Sequence, residues 1–121
     1  MQTEKAKIKI LIADDNRDMC TSLQDILTHK GYIVESVNDG YELLAYFKIK
    51  KADILILDLM MPGRDGLEML APIKSILPDM KVIIYTAFQR YERSSCRTEA
   101  DRFLLKTAGA DKLCEAIEEL V

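Results

Sequence analysis

A chain of 121 residues, 49% of them hydrophobic, suits one compact domain with a substantial apolar core. Its net charge of −3 argues against nucleic acid as a direct partner, because phosphate backbones attract basic faces. No stretch is long and apolar enough to cross a bilayer. The polar opening Met1-Gln2-Thr3-Glu4-Lys5-Ala6-Lys7 lacks the apolar middle of a signal peptide, so a cytoplasmic protein without a membrane partner is expected.

Ile8 to Ala13 is a short β-branched run that stops at two aspartates, Asp14 and Asp15. Arg17 to Lys30 carries Met19, Leu23, Ile26 and Leu27 at helical spacing, which gives it one apolar face. Asn16 stands at its N-cap position and Gly31 where a helix ends in a left-handed residue. Ile33 to Val37 reads as a second strand, Asn38-Asp39-Gly40 as a turn and Tyr41 to Ile49 as a short helix.

Ile54 to Leu57 is apolar on both faces, the mark of a central parallel strand, and it ends at Asp58. Met61-Pro62-Gly63 with Asp65-Gly66 marks a loop. Leu67 to Ile76 is a third helix, which Pro72 should kink or displace. Val82 to Tyr85 is a fourth strand ending at Thr86, and Phe103 to Leu105 a fifth ending at Lys106. Asp111 to Val121 closes the chain as an amphipathic helix. The segment from Gln89 to Asp101 has little apolar stripe, with Tyr91, Cys96 and Ala100 as its core candidates. A short or mobile helix is expected there.

Alternating strands and helices imply a parallel sheet covered on both faces. Right-handed crossovers leave few topologies. Five short strands fit a doubly wound α/β fold of order 2-1-3-4-5, the flavodoxin-like (βα)5 arrangement. Cys20, Cys96 and Cys114 have neither disulfide nor zinc spacing and read as free thiols.

Ligands of such sheets bind outside the carboxyl ends of the strands. Asp14, Asp15, Asp58, Thr86 and Lys106 all fall at those ends. Three carboxylates packed together repel one another, so one takes a raised pKa unless a cation intervenes. Mg²⁺ accepts oxygen ligands and commonly uses one or two carboxylates plus a phosphate. Asp15 and Asp58 are candidate direct ligands, Asp14 a ligand through water, and the Met60 backbone carbonyl a further donor. A carboxylate can attack phosphorus to give an acyl phosphate. Lys106 then offers a point charge to the phosphoryl oxygens, and Thr86 a hydroxyl.

Ile10-Leu11-Ile12-Ala13-Asp14-Asp15-Asn16, the segment from Leu57 to Gly66, Thr86-Ala87 and Lys106 together resemble the receiver domain of two-component response regulators. The resemblance covers essentially the whole chain in order. It implies one domain over residues 1–121, with Asp58 phosphorylated by a sensor histidine kinase or a histidine phosphotransfer protein. It also implies an acidic metal pocket at Asp14 and Asp15, and a switch made of Thr86 and Phe103. Such a domain catalyses its own phosphorylation and often its own dephosphorylation without being a turnover enzyme. The resemblance fits either a stand-alone receiver that acts on an effector or the front piece of a longer regulator that carries an output domain.

Three features depart from that pattern. Thr107 follows Lys106 where relatives carry proline behind a cis peptide. A cis bond to a non-proline residue costs roughly 3–4 kcal/mol, so a trans bond and a reshaped loop are expected. Met60 and Phe88 put apolar bulk beside the site and should slow attack by water. The polar segment from Gln89 to Asp101 differs from the usual helix there. The competing readings are a degenerate receiver that only binds a partner, an aspartyl phosphohydrolase and a flavin protein. Met60 stands where the hydrolase needs a second acid, and the acidic strand ends would repel a flavin phosphate.

Overall fold

The computed structural model describes residues 8–61, 66–87 and 100–121, with the backbone alone at Gly66 and Leu67. Strands β1 (Lys9–Ala13), β2 (Ile33–Val37), β3 (Ile54–Leu57), β4 (Lys81–Thr86) and β5 (Arg102–Leu105) pair in parallel in the order 2-1-3-4-5. The described helices are α1 (Arg17–His29), α2 (Gly40–Ile49), α3 (Gly66–Ile76) and α4 (Ala110–Leu120). The expected order is therefore found, and the element limits fall close to those read from the residues. The segment 88–99, with Phe88, Tyr91 and Cys96, lies outside the described residues. Of the core candidates named there, Ala100 is described and packs against the core.

Side chains alternate across a strand, and here the alternation sorts the core into two clusters. Leu11, Ala13, Leu55, Leu57, Val82 and Ile84 face one way and pack with Leu43, Tyr46, Met69, Leu70 and Ile73 of α2 and α3. Ile10, Ile12, Ile54, Ile56, Ile83 and Tyr85 face the other way and meet Cys20, Leu23 and Leu27 of α1 with Leu113 and Ile117 of α4. All four residues of β3 are buried, as a central strand requires. Each such side chain contributes roughly 1.5–3 kcal/mol by leaving water.

The helix ends follow from local chemistry. Asn16 Oδ1 accepts the Met19 N–H at 3.0 Å, as its N-cap position implies. Gly31 has φ +104°, a left-handed conformation that favours glycine. Asp39, part of an expected turn, is the N-cap of α2 and accepts the Glu42 N–H at 2.8 Å. Glu42 reaches back to the Asn38 N–H at 2.8 Å. Helix α3 starts at Gly66 and runs through Pro72, so proline neither ends it nor delays its start. Pro72 and Glu68, whose carbonyl loses its donor, both face solvent, where that loss costs least.

The edge strand β2 is pinned by charge. Glu35 accepts from Lys9 Nζ at 2.9 Å and Lys50 Nζ at 3.1 Å, and from the Tyr46 hydroxyl at 2.9 Å. Both ammonium groups lie 5.6 Å from the Tyr46 ring centroid. The bonds from Lys9, Lys50 and Tyr46 hold the Glu35 carboxyl down at about 2, below its ordinary 4.5. A depressed carboxyl stabilises the fold above its unfolded pKa and loses that contribution as pH falls through the folded one. The stability difference between wild type and Glu35→Gln, read from urea midpoints, should therefore close as pH drops from about 5 toward 2. Partial solvent exposure keeps that difference small. A gap that does not narrow contradicts the assignment.

Candidate functional site

The strands end nearly level because their registers are parallel. Ala13 pairs with Leu57, Leu57 with Ile84, and Thr86 with Leu105. The Asp58 N–H continues the ladder to the Ala13 carbonyl at 2.9 Å, and the Asp14 N–H bonds the Val37 carbonyl at 3.1 Å. Asp14, Asp58 and Lys106, each the residue after a strand, therefore meet at one edge.

Lys106 Nζ lies 2.7 Å from Asp14 Oδ2 and 2.9 Å from Asp58 Oδ2. The other oxygen of each carboxylate accepts the N–H two residues on. Asn16 donates to Asp14 Oδ1 at 2.9 Å and Met60 to Asp58 Oδ1 at 3.0 Å. Asp14 and Asp58 are 2% and 6% exposed, whereas Asp15 is exposed to solvent. Asp14, Asp15 and Asp58 each offer an oxygen within 4.8 Å of the others. The Met60 backbone stays beside Asp58, and its side chain is 39% exposed.

Burial pushes the Asp14 carboxyl up, and the charge of Asp58 adds to this. The hydrogen bonds from Lys106 and the Asn16 amide oppose it without cancelling it. For Lys106, burial acts to lower the ammonium, but the bonds to Asp14 and Asp58 outweigh it and the net shift is upward. The lysine thus holds its proton between two carboxylates. Lys106 bridges Asp14 and Asp58 while Asp15 adds a third carboxylate beside them, so this cluster keeps surplus negative charge whenever all three are ionised. Oxygen donors only, close together and in charge excess, suit a hard divalent cation.

Thr86 is fully buried at the end of β4. Phe103 is half-buried against the α2 and α3 side of the sheet and pairs in register with Ile84. Thr86 lies two residues beyond Ile84, on the same face by strand alternation. After Lys106 the chain turns at once. Lys106–Ala108 forms a 3₁₀ turn, the Lys106–Thr107 peptide is trans, and Gly109 at φ +90° leads into α4. The trans bond agrees with the expectation drawn from Thr107.

Two residues at the pocket escaped the sequence reading. Asn38 Nδ2 donates to the Asp14 carbonyl at 2.9 Å, and Cys20 Sγ lies 3.4 Å from the same oxygen. Cys20 was read only as a free thiol and not as part of the apolar face of its helix, and nothing in the Asn38-Asp39-Gly40 turn signals a contact with residue 14. Lys106 was expected to face a phosphoryl group, and its bridge to Asp14 was not foreseen.

A parallel sheet of this order with acids and a lysine at its carboxyl edge defines a receiver-type α/β domain. The family model of the response regulator receiver domain matches residues 10–118, and the chain belongs to that family. It is 33% identical over 117 residues to the transcriptional regulatory protein ZraR of Salmonella typhimurium, which covers 95% of this chain and 26% of that protein. It is 34% identical over 116 residues to the response regulator MprA of Mycobacterium leprae, covering 94% and 51%. The chain thus spans between a quarter and half the length of these relatives. Response regulator TrrA of Thermotoga maritima, solved in complex with Mg(2+)-BeF, superimposes with a TM-score of 0.88 at 32% identity, covering 94% of this chain and 99% of that one. TrrA has also been solved in complex with the histidine kinase ThkA; that copy matches with a TM-score of 0.85 at 32% identity, over 94% of this chain and 98% of that one.

The thiol of Cys20 is pushed up to about 11, chiefly by burial and then by the Asp14 charge. Its alkylation by iodoacetamide at about pH 8 should run roughly two orders of magnitude slower in the native protein than in urea. Peptide mass mapping reads this directly, and native labelling at the unfolded rate contradicts the burial of Cys20.

Proposed function

We propose that this chain is a phosphoacceptor: Asp58 takes a phosphoryl group from a phosphohistidine on a sensor kinase or phosphotransfer protein, and the modified domain signals onward. The observation that carries the reading is the Lys106 ammonium between the buried carboxylates of Asp14 and Asp58. Asp14, Asp15 and Asp58, with the Met60 carbonyl, would hold Mg²⁺, which when bound supplies positive charge to the phosphoryl oxygens.

An Asp58 oxygen forms the new bond to phosphorus, the nitrogen–phosphorus bond breaks, and the imidazole leaves with the electron pair. Lys106 exchanges part of its hold on Asp58 for a phosphoryl oxygen and keeps Asp14 as its second partner. Thr86 donates its hydroxyl to another oxygen. Phosphoryl transfer needs this positioning and charge neutralisation more than proton chemistry. The protein acts on itself rather than turning over a substrate.

Phosphorylation adds charge and acceptor oxygens at one carboxylate. Thr86 moving inward vacates space on the sheet face that Phe103 shares. Reversing a 1:99 population to 99:1 needs about 5.5 kcal/mol. Two or three charge-assisted contacts of roughly 1.5–3 kcal/mol each reach that scale. We place the domain in the cytoplasm as a single receiver over residues 1–121, controlling an output domain or effector. Among the described residues no helix is long and apolar enough to cross a membrane.

Incubation with Mg²⁺ and acetyl phosphate should add about 80 Da to wild type. Asp58→Asn should gain nothing, and Lys106→Ala should be modified far more slowly. A wild type that stays unmodified, including with a kinase as donor, favours the degenerate receiver that only binds. Apolar bulk at Met60 should keep the acyl phosphate intact for many minutes, followed by the decay of the added mass. Hydrolysis within seconds rules out that shielding.

A further inference from the structure

Asp14 is the most buried of the three acids, and its main chain is held from outside its own segment. Its N–H bonds the Val37 carbonyl. Its carbonyl, beyond the end of β1, accepts Asn38 Nδ2 at 2.9 Å, with Cys20 Sγ at 3.4 Å. A thiol is a weak donor and a side-chain amide a good one, so Asn38 supplies most of the hold.

We propose that Asn38 is a positioning residue for the acidic pocket: by fixing the Asp14 carbonyl it sets the aim of the Asp14 carboxylate, and so the affinity for a divalent cation. The carboxylate has two tethers of its own, the Asn16 N–H on Oδ1 and Lys106 on Oδ2. Both bonds depend on how the peptide at residue 14 is turned, and Asn38 fixes that turn. Asn38 is itself held. Its N–H bonds Glu42 Oε1, and the next residue caps α2. A line of hydrogen bonds therefore runs from the start of α2, through Asn38 and the residue-14 peptide, to the carboxylate that shares Lys106 with Asp58. Groups that orient metal ligands without touching the metal tune affinity in this way.

The inference rests on the cation reading above, and the experiment separates the two. Mg²⁺ is titrated into the full chain and followed by backbone amide NMR. Asn38→Ala should raise the half-saturation concentration about tenfold, at the low end for residues that orient ligands. Tyr46→Phe, which loses a hydrogen bond to Glu35 far from the pocket, serves as the control for lost stability and should leave Mg²⁺ affinity unchanged. Asn38→Asp keeps the shape and removes the donor. It should weaken binding although it adds negative charge, which simple electrostatics would make tighter. Unchanged affinity in Asn38→Ala, tighter or unchanged affinity in Asn38→Asp, or an equal loss in Tyr46→Phe overturns the proposal.

A wild type that binds no Mg²⁺ at millimolar concentration defeats the cation reading instead. The positioning claim then stands or falls on the metal-free protein. There, Asn38→Ala should speed hydrogen exchange at the Asn16 amide that holds Asp14 Oδ1. Unaltered exchange refutes it.

Discussion

One ammonium between two carboxylates at the carboxyl edge of the sheet constrains the rest of the site. Removing charges from water costs several kcal/mol per ion, and mutual attraction repays this only where geometry and additional hydrogen bonds are good. Each of the two buried acids meets that condition with one oxygen on Lys106 and one on a backbone N–H. Three separate strands must therefore end at nearly the same level. The parallel register does this, since each strand stops within a residue or two of its neighbour. Charge balance is still incomplete, because Asp15 brings a third carboxylate to the same place. The arrangement is stable enough to fold and remains receptive to added positive charge.

The sheet that carries this edge is held by two apolar layers of different character. On one face the strands meet α2 and α3, with Tyr46 and three methionines among the buried residues. On the other they meet α1 and α4, where isoleucine and leucine dominate and both described cysteines lie. Thr86 and Phe103 belong to the first face, which holds the more adaptable side chains.

Much of this was legible in the residues. Uninterrupted apolar runs such as Ile54 to Leu57 identify central parallel strands, and a polar residue after each run marks the ligand edge. That logic gave the strand order and gathered Asp14, Asp15, Asp58, Thr86 and Lys106. It did not separate buried Asp14 from exposed Asp15, because adjacent residues at a strand end differ only in which way the turn directs them. It missed Asn38 for a related reason. A turn signal reports local backbone preference, whereas the bond to residue 14 depends on where the next strand's loop lies in space. The trans peptide after Lys106 was foreseen from Thr107, but the 3₁₀ geometry that accommodates it was not.

The outermost strands have a further consequence. An open sheet leaves unpaired N–H and C=O groups along both borders, a template onto which a foreign chain can add. On β2 the Glu35 side chain is clamped by two lysines, and on β5 Arg102 reaches Glu119 at 3.4 Å. Any intruding β segment would have to pack beside these charged clusters and disturb their pairing. Both borders thus discourage fibrillar stacking, so the open sheet does not become sticky along its flanks.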